Sequence, residues 1–285
     1  MRSIAFAALV LGSVAAVPGA ARAAESCGEV VSLQTHGGTT TRVSLAQPKG
    51  AVAGGARIGL VLLVGGGGHL DLDDRGCPQA LKGNSLVRSA PLFNEAGFVT
   101  ALMDAPSDHT DEDGLGGFRL AADHAADIGK VVTAVRQRTG GAVWIVGTSR
   151  GTISAVNAAA RLSGAAAPDG IVLTSALTAG NPNARKAWVR DTVFDIRLED
   201  IKAPVLVVGH ADDGCVRSPP ARSEDIVKRT SGAREQVVVV TGGPGAPAKR
   251  SSGTEACAGR SPHGFVGQEA EVAAGIARFV RGGRY

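Results

Sequence analysis

The sequence predicts an α/β protein: a mostly parallel sheet with helices on both faces, an N-terminal β-hairpin and no large lid domain. Three observations carry this. After two initial alternating stretches, short apolar runs and segments of helical spacing alternate six times. The runs over 58–64 and 204–208 are almost continuously apolar, as in strands buried on both faces. Finally, Gly147-Thr148-Ser149-Arg150-Gly151 lies between a strand-like run over 142–146 and a helix-like segment carrying Ile153, Val156 and Ala160.

The chain opens with Arg2, an apolar stretch over 4–17 and the small-x-small triplet Ala21-Arg22-Ala23, which read as an export signal cleaved after Ala23. That leaves residues 24–285 as one domain, secreted or periplasmic, with no segment suited to span a membrane. The formal charge of +4 falls by two when Arg2 and Arg22 leave, too little to make nucleic acid the default partner. Four cysteines in an exported chain imply two disulfides. Cys215 and Cys257 flank two loops important below and are paired on that ground; Cys27 with Cys77 follows by elimination.

Alternating residues over 30–35 and 40–45, separated by His36-Gly37-Gly38-Thr39, predict the hairpin. The strand over 58–64 ends in four glycines, Gly65 to Gly68, and His69. A helix is expected over 84–96, closed by Gly97 and kinked or split at Pro91. A strand over 98–103, an acidic loop over 104–113 and an amphipathic helix over 117–138 follow. Beyond the Ser149 region come strands over 171–174, 204–208 and 236–241, and helices over 219–229 and 265–280.

G-x-S-x-G between a strand and a helix is the signature of a nucleophile elbow, in which a strained turn lifts the serine Oγ above the sheet edge. A nucleophilic serine needs a base, and the base an orienting carboxylate; in this architecture they follow in the order acid, then histidine, at the ends of later strands. His263, just before the last helix, is the only one of six histidines that comes after both the elbow and a post-strand acid. The acid belongs in the loop after 204–208, where Asp212 and Asp213 compete.

These motifs make the chain resemble the α/β-hydrolase superfamily from about Val43 to its C-terminus: the glycine turn after Val64, the elbow, Asp212-Asp213-Gly214-Cys215-Val216 and His263-Gly264-Phe265. The superfamily's acid usually lies three residues before a valine, which selects Asp213 over Asp212. The resemblance implies Ser149 as nucleophile, His263 as base and Asp213 as its orienter. It also implies an oxyanion hole built from the N–H of Arg150 and of Gly66 or Gly67. Val64 stands where many relatives carry a histidine.

The expected reaction is hydrolysis of a small or medium carboxylic ester through an acyl-enzyme, without a cofactor. Peptide cleavage, acyl transfer, or non-catalytic binding on the same scaffold are the alternatives. His69, Leu177 and Trp188 are candidate substrate contacts, with Phe194 as a further pocket residue and Asp104 as a partner for Arg150. Gly65–Gly68 does not make a dinucleotide turn, because Leu70 stands where G-x-G-x-x-G needs glycine. The acidic loops lack EF-hand spacing, so no metal is expected. Aromatic residues make up 4% of the chain, which argues against a polysaccharide cleft lined with stacking rings.

Overall fold

The computed structural model describes residues 26–48, 57–244 and 253–285. The export signal read over 1–23 lies outside them. Eight strands form one sheet: β1 (Glu29–Gln34), β2 (Thr40–Ala46), β3 (Gly59–Leu63), β4 (Val99–Met103), β5 (Val143–Thr148), β6 (Gly170–Thr174), β7 (Val205–His210) and β8 (Glu235–Val240). Their order is β1-β2-β4-β3-β5-β6-β7-β8, and every neighbouring pair from β4 to β8 is parallel. β1 and β2 form the predicted hairpin and join the sheet antiparallel to β4.

Side-chain alternation along the central strands divides the core into two layers. Val61, Leu63, Ile145, Ile171 and Val207 face α2 (Ala122–Thr139) and α3 (Gly151–Arg161), meeting Ile128, Val132, Ile153 and Val156. Leu60, Leu62, Val146, Val172 and Leu206 face the other way, toward α1 (Ser85–Glu95) and α5 (Glu269–Val280), meeting Phe93, Ile276 and Phe279. α4 (Ser223–Val227) is a short helix near β7 and β8. Between β6 and β7 the chain forms only three short 3-10 turns, so no lid of helices covers the sheet edge there.

The structure moves several predicted boundaries. α1 is continuous through Pro91, which is exposed, and Asn84 caps it by accepting the Leu86 N–H at 3.0 Å. α2 starts at Ala122 rather than Gly117, because Gly117 takes a φ of 78° and Phe118 sits in the preceding turn against histidine rings. The last helix starts at Glu269: Pro262–Gly264 is a 3-10 turn and Phe265 is left-handed, with φ 53°. The predicted 219–229 helix divides into a 3-10 turn, Pro220–Arg222, and α4.

Candidate active site

Parallel register brings Leu63, Gly147 and Leu173 level across β3, β5 and β6, so the loops after these strands emerge at one C-terminal edge. β5 is buried throughout and delivers Ser149 to that edge. Ser149 has φ 51°, a left-handed conformation costing about 1–3 kcal/mol for a residue with a Cβ. Its N–H donates to the Thr174 carbonyl at 3.0 Å, and its carbonyl accepts from the Thr152 N–H and Oγ1 at 3.0 and 2.6 Å. The turn closes because Gly151 and Gly65, packed against it, lack side chains. A Cβ on Gly151 would stand 2.0 Å from the Leu63 carbonyl oxygen, and one on Gly65 2.8 Å from Ser149 Cβ.

The acid and the histidine meet beside it. Asp213, buried in the loop after β7, accepts the Cys215 N–H on Oδ1 at 2.9 Å. Its Oδ2 accepts from His263 Nδ1–H at 2.9 Å and from Ser218 Oγ–H at 3.0 Å. Ser218 Oγ is also 2.9 Å from His263 Nδ1, so three side chains close a compact buried triangle. His263 is further held by its own carbonyl, which accepts from Ser175 Oγ at 2.7 Å.

Disulfides join Cys215 to Cys257 and Cys27 to Cys77. The first ties the acid loop to the approach to His263; closing a loop of that length contributes roughly 4 kcal/mol by chain entropy. With Cys215 in a disulfide, the Asp213–Cys215–His263 grouping has no thiolate to offer a metal.

His263 Nε2 is buried and has no hydrogen-bond partner. The residue lines, with Ser149, Gly65 and Gly66, a cleft of about 240 Å³. Among the described residues, no hydrogen bond joins Ser149 to His263.

The glycine turn forms the opposite wall. Gly66 and Gly68 have φ 61° and 85°, and the Gly68 N–H closes the turn on the Gly65 carbonyl at 3.2 Å. Arg119, buried beneath it, donates to the carbonyls of Val64 and Gly66 at 3.2 and 3.3 Å, while the Leu115 N–H takes the Gly67 carbonyl at 2.8 Å. The carbonyls are thus engaged on the protein side. Among the described residues, the N–H groups of Gly66, Gly67 and Arg150 donate to nothing.

Burial, with the nearby Arg150 charge, lowers the Arg119 guanidinium to about 9. Its Nη1 donates at 2.7 Å to Ser154 Oγ, which lies 2.8 Å from His124 Nε2. Burial first, then the Arg119 charge, pushes His124 well below 6.5, so it is neutral. An unfolded His124 binds a proton that the folded one refuses. Its contribution to stability is therefore complete above the unfolded value of about 6.5 and is lost as pH falls toward the folded value. The melting temperature of the wild type should drop more steeply than that of His124→Gln between about pH 6.5 and 5. Parallel profiles in scanning calorimetry would rule this origin out.

The remaining expected contacts are dispersed. Arg150 lays its guanidinium 4.4 Å over the Trp188 ring. Asp104 is not its partner, since that carboxylate accepts the N–H groups of Leu70, Leu72 and Ala105 at 2.6, 3.1 and 2.8 Å and lies 3.3 Å from His69 Nδ1. Leu177 is a core residue, 2% exposed, and neither it nor His69 lines the cleft at Ser149. Phe194 carries the guanidinium of Arg222 at 4.8 Å. Ser218, Arg119, Leu81 and Asn84 were not singled out from the sequence; each reaches the site through long-range contacts that spacing does not encode.

No protein-family profile and no curated protein sequence matches this chain. Solved structures do. A dienelactone hydrolase from Anabaena variabilis is similar over 92% of this chain and all of its own, with a TM-score of 0.57 and 16% identity. Est1E from Butyrivibrio proteoclasticus matches over 89% of this chain and 98% of its own, with a TM-score of 0.56 and 16% identity. A structure of the metagenome-derived lipolytic enzymes LipS and LipT matches over 83% and 96%, with a TM-score of 0.54 and 16% identity. With its strand order, its left-handed serine between β5 and α3 and these neighbours, the chain has the α/β-hydrolase fold.

Proposed function

We propose that the protein is a serine hydrolase cleaving small or medium carboxylic esters through an acyl-enzyme, with Ser149, His263 and Asp213 as its triad. The observation that carries this reading is the buried Asp213–Ser218–His263 triangle. Its His263, with Nε2 unpartnered, lines the same cleft as a serine held in the left-handed region.

In this mechanism Ser149 Oγ attacks the ester carbonyl carbon while its proton passes to His263 Nε2. The tetrahedral intermediate's O⁻ accepts hydrogen bonds from the Arg150 N–H and from Gly66 or Gly67. The imidazolium, stabilised by Asp213, returns the proton to the departing alkoxide, leaving Ser149 acylated. Water then attacks the acyl carbon, loses its proton to His263 and releases the acid, and Ser149 recovers its proton. Arg119 positions the turn that supplies the oxyanion donors, and Trp188 supports Arg150.

A 240 Å³ cleft without a helical lid suits a compact ester. That solved neighbours include lipolytic enzymes and a dienelactone hydrolase supports the reaction class. Two disulfides support an oxidising compartment, in keeping with the proposed export signal and a domain over 24–285.

The test is labelling of the folded protein with a fluorophosphonate probe, mapped by mass spectrometry, followed by p-nitrophenyl esters of graded chain length and peptide substrates. Labelling at Ser149 and turnover of short esters are expected. No labelling makes the chain a binding protein on this scaffold; labelling with turnover only of peptides, or only in the presence of an acyl acceptor, replaces the ester reading.

A further inference from the structure

The connection between β1 and β2 meets the loop after β4 on the side of the molecule that holds α2. His36 stands in the first, and Asp108 and His109 in the second. One ligand atom from each of the three lies within 4.8 Å of the others. His36 Nε2 is 3.1 Å and His109 Nε2 4.0 Å from the same oxygen, Asp108 Oδ2.

The other nitrogen of each ring is engaged from behind. His36 Nδ1 lies 2.6 Å from Oδ2 of the buried Asp127, whose Oδ1 accepts the His36 N–H at 2.9 Å and pairs with Lys130 at 3.3 Å. His109 Nδ1 lies 3.1 Å from the Gly114 carbonyl. A carbonyl oxygen can only accept, so His109 carries a proton on Nδ1, and its neutral form turns the Nε2 lone pair toward Asp108. The Asp127 carboxylate likewise holds a proton on Nδ1 of His36, while Nε2, hydrogen-bonded to Asp108, must release its proton when an ion binds. Phe118 clamps both rings, at 4.3 Å from His109 and 4.6 Å from His36 between centroids. Two imidazoles fixed through Nδ1 and converging through Nε2 on one carboxylate is the arrangement by which outer acceptors prepare histidine ligands for a metal.

We propose that His36, Asp108 and His109 form a binding site for a zinc-like divalent transition-metal ion, with both Nε2 atoms and the Asp108 carboxylate as ligands. Two imidazole nitrogens and one carboxylate are a donor set for such an ion, whereas Ca2+ and Mg2+ take oxygen ligands. Bond lengths of about 2.0–2.2 Å around a tetrahedral ion place its ligands roughly 3.3–3.5 Å apart. The 3.1 and 4.0 Å separations bracket that, and Asp108, 44% exposed, is free to adjust. Water completes the coordination from the solvent side.

The ion joins the hairpin to a loop that reaches the active-site edge. That loop continues to Leu115, whose N–H holds the Gly67 carbonyl. The role is structural, since none of the three ligands lines the cleft at Ser149.

The experiment is calorimetric titration of the chelator-treated, full folded protein with ZnCl2, and separately with CaCl2, alongside thermal melting. One Zn2+ should bind with a Kd below about 10 μM, and Ca2+ should not compete. At zinc about 100-fold above Kd the melting temperature should rise by roughly 5–10 °C. Asp108→Asn and His109→Ala, both at partly exposed positions, should each weaken binding at least about tenfold while leaving the metal-free melting temperature within a few degrees. Zinc bound equally well by both variants, or not bound by the wild type, overturns the site: the three side chains are then an ordinary imidazolium–carboxylate cluster.

Discussion

Asp213→Asn should leave the protein folded and reduce kcat by about 10⁴-fold. The direction follows from how the carboxylate is held. Oδ1 accepts the Cys215 N–H at 2.9 Å, and an asparagine must keep its carbonyl oxygen there or leave that buried donor unpaired. Its NH2 group then occupies the place of Oδ2, facing His263 Nδ1 and Ser218 Oγ. An NH2 donor forces Nδ1 to accept, so the His263 proton moves to Nε2, the atom that takes the proton of Ser149 in the proposed mechanism. Ser218→Ala removes one of two hydrogen bonds to Oδ2 without inverting the tautomer, so its loss should stay within about tenfold. Asp212→Asn, at a half-buried position outside the Asp213–Ser218–His263 triangle, should change kcat by less than about threefold. Steady-state ester hydrolysis by the three variants checks the order. If Asp213→Asn keeps more than a tenth of wild-type kcat while Asp212→Asn does not, the acid is misassigned.

The largest expected loss of stability comes from the elbow. In Gly151→Ala the new Cβ would stand 2.0 Å from the Leu63 carbonyl oxygen, 2.8 Å from its carbon and 2.9 Å from the Val64 carbonyl oxygen. All three are backbone atoms of the central strand β3 and its exit, which cannot rotate aside as a side chain would. Overpacking against such atoms costs about 3 kcal/mol or more, which lowers the melting temperature of a chain this size by roughly 6–12 °C. Gly83→Ala is the contrast: its Cβ meets only the flexible Arg260 side chain, no closer than 3.7 Å, and stability should change by less than about 0.5 kcal/mol. Equal melting temperatures for Gly151→Ala and the wild type would show that α3 can retreat from β3, and that the close approach is not what the glycine serves.

The architecture was legible in the chain because it is written in local patterns. Continuous apolar runs over 58–64 and 204–208 become β3 and β7, buried on both faces. Glycines flanking Ser149 announce a turn that only residues without side chains can close. The order Ser149, Asp213, His263 narrowed six histidines to one before any distance was known. Helix starts were less legible. Phe118 fits the helical period of the residues after it, yet its ring is claimed by His36 and His109, from the hairpin connection and its own preceding loop.

By itself, then, the sequence determined the layered α/β sheet, the position of the elbow and the loops from which an acid and a base could come, since each depends on residues near one another in the chain. Tertiary structure alone decided the rest. It set Ser218 against Asp213 and His263, placed Arg119 beneath the glycine turn with Ser154 and His124 behind it, turned Arg150 onto Trp188 instead of Asp104, and brought His36 to Asp108 and His109. Apart from Ser218 with Asp213, these contacts join residues some thirty positions apart or more. Their energy depends on burial and on which donor faces which acceptor, and neither quantity exists until the sheet has closed.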